Sequence, residues 1–128
     1  MKPKKREETR IQRAIEATLG HAPDITILRN NNGVATFDDG ARVVYGLGVG
    51  TPDLVCILQL TPALAAWVAL EVKVPGEEPE PAQRAAHALW RSLGVQVFTV
   101  HSVDEAAGAL EIARGVARSE ARMVGGAP

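Results

Sequence analysis

Leu64-Ala65-Ala66-Trp67-Val68-Ala69-Leu70-Glu71-Val72-Lys73 is an apolar run that ends in a carboxylate and an ammonium one residue apart. An apolar run bounded by turn signals reads as a buried strand. Side chains alternate across a strand, so Glu71 and Lys73 share one face and Val72 takes the other. Taken alone, two like-facing opposite charges are better read as a strand emerging into water with a surface ion pair. The choice between these readings depends on where the chain brings its other carboxylates.

Immediately upstream, Asp53 to Gln59 is a second strongly apolar strand, separated from the first by the turn Thr61-Pro62-Ala63. The two strands are expected to return antiparallel. Asp53 and Glu71 are equidistant from Pro62 and become near cross-strand neighbours, with Cβ atoms about 4.5–5.5 Å apart. Two like charges facing one another destabilise a hairpin unless a cation lies between them. Hard carboxylate oxygens of this kind suit Mg²⁺ or Mn²⁺ better than zinc. A slipped or longer hairpin would leave both as ordinary strand-end charges.

Downstream, Pro81 suits the first turn of a helix reaching about Leu93, with Ala82, Ala85, Ala86, Leu89, Trp90 and Leu93 as its apolar positions. Gly94 stops it and Val95 to Val100 forms a further strand, which makes a right-handed parallel strand–helix–strand unit. Ser102-Val103-Asp104-Glu105 is a capping box that opens a last helix to about Ala117. At the other end, Met1 to Arg6 reads as a basic arm that can touch phosphates. Glu7 to Leu19 is a helix whose Glu8, Ile11, Gln12 and Ile15 follow the i, i+3, i+4, i+7 rule, and Gly20 stops it. Short strands at Ile25–Leu28, Val34–Phe37 and Arg42–Tyr45 are divided by Asn30-Asn31-Asn32-Gly33 and Asp38-Asp39-Gly40. The expected organisation is one α/β domain over 7–118, with the arm 1–6 before it and a fraying tail 119–128 after it.

A length of 128 residues allows one real core. A net charge of −1 supplies no global attraction to nucleic acid, so any such contact must come from local basic patches. The single cysteine, Cys56, sits in an apolar run and reads as an inert core residue, excluding an internal disulfide and a cysteine-built zinc site. No stretch approaches the roughly 18 apolar residues of a membrane span, and the basic N-terminus leads into a charged helix. A cytoplasmic protein without membrane contact is expected.

Gly46-x-Gly48-x-Gly50 invites a nucleotide-loop reading, but such a loop must open directly into a helix. Here it opens into the strand at Asp53, so a loop permitting close backbone or substrate approach is expected and no nucleotide cofactor. An ion held by Asp53 and Glu71 could generate a hydroxide and stabilise charge on a phosphate oxygen. Lys73 then takes an electrostatic role beside it. Glu8 could complete the shell, although an N-terminal glutamate also simply suits the helix dipole. Gln83, in the first turn of its helix, could lean over the end of the Lys73 strand. Arg84, His87 and Arg91 share one side of that helix and could contact a phosphate backbone, or form a wet face. His21, His87 and His101 show no metal-ligand spacing.

The ordered set Glu8-x-x-Ile11-Gln12, Leu28-Arg29-Asn30-Asn31, Tyr45-Gly46-Leu47-Gly48, Gly50-x-Pro52-Asp53-Leu54, Ala69-Leu70-Glu71-Val72-Lys73 and Gln83-Arg84 resembles the PD-(D/E)XK nuclease superfamily. More closely it resembles a stand-alone VRR-NUC domain (virus-type replication-repair nuclease) of the phage and bacterial kind. Leu93-Gly94 and Val100-His101-Ser102-Val103-Asp104-Glu105 extend the resemblance almost end to end. It implies a restriction-endonuclease-like αβββαβ core with a mixed central sheet flanked by helices. It also implies a Mg²⁺- or Mn²⁺-dependent DNA endonuclease acting on branched DNA such as Holliday junctions, as a homodimer. Asp53 and Glu71 match the metal-binding acids, Lys73 the catalytic lysine, Glu8 the first-helix acid and Gln83 the following glutamine. The carbonyl of Val72 is a further implied metal ligand. Arg29, Asn30, Gly48, Gly50, Arg84 and His87 are the residues expected at the nucleic acid. One departure is the loop Gly76-Glu77-Glu78-Pro79-Glu80-Pro81, which is more acidic than the Gly/Arg/Lys-rich form of the family.

Overall fold

The computed structural model describes residues 2–125. Its centre is the hairpin of β4 (Leu54–Thr61) and β5 (Leu64–Val72), paired Leu54↔Leu70, Cys56↔Val68 and Leu58↔Ala66. That register continues to place Asp53 opposite Glu71, as the symmetry about Pro62 requires. On the outer side of β4 lies β1 (Ile25–Arg29), antiparallel. On the outer side of β5 lies β6 (Gln96–Val100), parallel, reached through α2 (Pro81–Ser92). The sheet order β1-β4-β5-β6 is mixed, and with α1 (Pro3–Leu19) before it the chain has the expected αβββαβ core.

Both inner strands are apolar almost throughout because helices cover both faces of the sheet at its centre. Leu54, Cys56 and Leu58 of β4, with Val68, Leu70 and Val72 of β5, point to one side. There they meet Ile15 of α1 and Ala106, Ala109, Leu110 and Ala113 of α3 (Val103–Gly125). Each fully buried Leu or Ile contributes about 1.5–3 kcal/mol through transfer from water, so this side supplies most of the stability. The opposite face carries Val55, Ala69 and Glu71, and α2 lies over its β5–β6 half. Cys56 is fully buried in the core, and burial pushes its thiol up to about 12.

Three boundaries differ from expectation. α1 begins at Pro3 instead of Glu7, so most of the basic arm is a helical first turn, closed by Arg6 N–H on Lys2 O at 3.0 Å. Proline at the first helical position lacks only an N–H that would have had no partner, which explains the early start. α3 does not end near Ala117 but continues to Gly125, since 119–123 (Ser-Glu-Ala-Arg-Met) contains no strong helix breaker. Residues 119–125 of the expected tail are thus helical, and 126–128 lie outside the described residues. Finally, β2 (Gly33–Thr36) and β3 (Arg42–Tyr45) pair only with each other, as a separate ribbon. Every residue of β3 is exposed, Val44 to 72%.

Candidate active site

The open end of the β4–β5 hairpin, away from its turn, gathers the charged residues. Asp53 precedes β4, and its Oδ2 accepts a hydrogen bond of 2.8 Å from Val72 N–H, which fixes the carboxylate against β5. Glu71 opposite it is 1% exposed and Lys73 is 8% exposed. Water is therefore largely absent from around both strand-end charges, and a surface ion pair is not what the strand ends in. Burial pushes the Glu71 carboxyl well above the ordinary carboxylate range. A hydrogen bond with Asp53 and that group's charge add to the effect, and Lys73 opposes it.

α1 lies across this end and contributes Glu8, whose Oε1 is 3.9 Å from Lys73 Nζ. Glu7, one residue earlier, faces solvent, so the helical phase makes Glu8 the inward acid. From the other side α2 contributes His87, 2% exposed, with Nε2 at 2.9 Å from Glu71 Oε1. Burial lowers the His87 pKa first, and Arg91 nearby lowers it further. Burial thus disfavours the charged form of both the imidazole and the Glu71 carboxyl, which share one hydrogen bond.

Several residues expected at a nucleic acid have partners within the protein. His87 is buried and turned toward the sheet, while Arg84 and Arg91 of the same helix stay exposed. Arg84 Nη1 donates to Pro79 O at 2.7 Å and Arg91 Nη2 to Val97 O at 2.7 Å. Asn30 spends its amide on the loop 46–52: it donates to Thr51 Oγ1 (2.9 Å) and Pro52 O (2.8 Å) and accepts from Leu47 N–H (3.0 Å). Asn32 repeats the pattern one strand step on, donating to Thr51 Oγ1 at 3.0 Å and accepting from Gly48 N–H at 3.2 Å. Gly50 serves close packing: at φ +78°, a Cβ there would lie 2.5 Å from Ala82 O at the start of α2. The glycine loop is a spacer that locks Asp53 against α2.

A cleft of about 560 Å³ opens above Asp53, with Lys5, Gln12, Arg29, Tyr45 and Gln83 among its walls. Gln83 reaches this cleft and also accepts from Glu80 N–H at 2.9 Å. Arg29 lines it while ion-paired to Glu16. Lys5 enters it from the helical turn that the sequence offered only as an arm. A larger cavity of about 700 Å³ lies at the far end of the sheet, but Leu60, Leu64, Trp67 and Val116 make it apolar. With Glu120 as its one charged lining residue, it offers no means of acting on a phosphodiester. Residues the sequence reading did not single out are Asn32 and Thr51; the Asn-rich turn beside a Gly-rich loop was their available signal. The inward direction of His87 had no signal within its own helix.

Among the described residues, no three His, Cys, Asp or Glu side chains form a ready metal cage. Asp53 and Glu71 are nevertheless suited to a hard cation that keeps most of its waters, since Mg²⁺ binds through one or two carboxylates. The strained ionisation of Glu71 beside Asp53 is the observation that fits such an ion, which would relieve it.

No known family profile matches the sequence, and no curated protein matches it significantly. Among solved structures it is similar to one described as "VRR_NUC domain", with a TM-score of 0.55 and 24% identity. The match covers 82% of this chain and 95% of that one. The chain shares the fold of that domain.

Proposed function

We propose that this chain is a Mg²⁺- or Mn²⁺-dependent nuclease that hydrolyses phosphodiester bonds in DNA. The observation that carries the reading is the buried Glu71 held opposite the half-buried Asp53, with the buried Lys73 beside them, in a fold shared with a VRR_NUC domain. Asp53, Glu71 and the Val72 carbonyl would hold the ion, with Glu8 nearby. When bound, the ion supplies Lewis acidity and a water of lowered pKa.

The chain's own groups do the rest. Asp53 is oriented by Val72 N–H, and Glu71 by His87. Lys73, drawn toward the carboxylates by Glu8, places a positive charge where a phosphate oxygen gains negative charge during attack. Lys5 and Arg29 on the cleft walls supply the local positive charge that a net charge of −1 does not. Gln83 borders the same cleft over Asp53 and is a candidate contact to substrate or to the attacking water.

Branched DNA is the proposed substrate and a homodimer the proposed particle. A junction has two scissile strands, and one small protomer has little surface to hold it. The apolar end of the β4–β5 hairpin, with Trp67 51% and Leu93 73% exposed, is a surface that a second copy would cover. The test incubates labelled four-way junction, flap, plain duplex and RNA with Mg²⁺, beside Lys73→Ala. Junction cutting that the variant loses by about 10²–10³-fold is expected. Absence of metal-dependent cutting on every substrate overturns the enzyme reading, and preference for flap or RNA overturns the junction assignment.

A further inference from the structure

His87 has no part in the chemistry set out above beyond its bond to Glu71, yet it is built in from three directions. It projects from the middle of α2, whose start is fixed where Gly50 abuts Ala82 O. The helix's other end is tied by Arg91 Nη2 to Val97 O on β6. Between these anchors the imidazole is 2% exposed and its Nε2 lies 2.9 Å from Glu71 Oε1. Were packing the only requirement, an apolar pair would fill the same space without the desolvation cost of two polar groups. The chain instead sets an imidazole nitrogen at hydrogen-bonding distance from a carboxyl group that Asp53 adjoins from the neighbouring strand.

We propose that His87 is a positioning residue for the candidate metal centre: its Nε2–H holds one Glu71 oxygen and so sets how the carboxylate is presented beside Asp53. This rests on the metal-dependent reading given above. Hydrogen-bond partners of ligating carboxylates typically govern metal affinity or activity about 10–100-fold, because a ligand free to rotate must be ordered when the ion binds. The shared loop 46–52 makes the arrangement rigid, since it positions both Asp53 and the start of the helix that carries His87.

The test is calorimetric titration with Mn²⁺ of the wild type, His87→Leu, His87→Gln and Asp53→Asn, with metal-free thermal unfolding of each alongside. The expected result is Mn²⁺ affinity about 10–100-fold weaker in His87→Leu. His87→Gln, which keeps an N–H donor, should stay close to wild type. A folded His87→Leu with wild-type affinity overturns the proposal, and so does a His87→Gln as weak as His87→Leu, which would mean that ring volume is what matters. Should His87→Leu fail to fold, the imidazole ¹⁵N signals of wild-type His87 decide it during a Mg²⁺ titration. They are expected to shift as the site saturates, and no shift counts against the role. Wild-type protein that binds Mn²⁺ no better than Asp53→Asn removes the metal centre itself. Loss in Asp53→Asn with no loss in His87→Leu removes only the role of His87.

Discussion

At one end of the β4–β5 hairpin, Asp53 and Glu71 face each other with Lys73 behind them, covered by α1 and α2. At the other end β5 runs on past β6, whose pairing begins only at Val68↔Gln96, and Trp67 stands half exposed beside an apolar cavity of about 700 Å³. The same two strands therefore keep charge out of water at one end and leave apolar surface in water at the other. Both arrangements cost stability: buried charge through desolvation, exposed apolar area through lost burial. The middle of the hairpin, with Cys56, Leu58 and Val68 at 0% exposure, offsets them. On the proposed reading the charged end takes a small ion and a phosphate, and the apolar end a second copy of the chain.

The largest expected effect lies at the charged end. Mn²⁺ at a hundred times its dissociation constant should raise wild-type unfolding free energy by about 2.7 kcal/mol, read as a higher melting temperature. In Asp53→Asn that gain should vanish; retention of it would place the ion elsewhere.

A smaller effect separates the cost of Glu71 from its use. Its folded pKa lies above the ordinary carboxylate value of 4.5, so the folded state favours the protonated form. The stability tied to that proton is fully present below about pH 4.5 and is lost as pH rises toward the folded value. Metal-free Glu71→Gln should thus melt a few degrees above metal-free wild type at pH 8, with the difference closing near pH 4.5. Equal melting curves at both pH values would mean that the pocket bears the ionised form without strain.

The smallest effect is expected at the apolar end. Trp67→Gln with Leu93→Ser should change protomer stability by no more than about 0.5 kcal/mol per site, both side chains being half exposed or more. It should leave Mn²⁺ affinity unchanged and shift the particle mass in solution from the proposed dimer to monomer. An unchanged mass would move the interface to another surface.

The hairpin register was readable because its information is local: a turn at Pro62 and two apolar runs of matching length determine which residues meet. The parallel β5–α2–β6 unit was readable for the same reason. The facing of α2 was not. Its own pattern offers Leu89 and Leu93 as core, yet they are 59% and 73% exposed while His87 turns inward. What His87 meets there is Glu71, sixteen residues earlier, a buried carboxyl whose hydrogen-bond partner no pattern within α2 reveals. The Asn30 and Asn32 contacts to Thr51 escaped reading likewise, since two turns distant in sequence become one scaffold only after β1 pairs with β4. The ribbon β2–β3 shows a related limit: its strands were legible, but not that they join no other strand.

The way the charged end is assembled has a consequence for how the chain acquires activity. Glu8 comes from the first helix, Asp53 and Lys73 from the central hairpin, and His87 from the helix after it, so about eighty residues must meet at one point. Contacts of such sequence separation form late and slowly, because the loops between them must close first. A chain emerging from the ribosome therefore carries each of these groups in harmless isolation, and the proposed nuclease chemistry would begin only once the domain has closed around them.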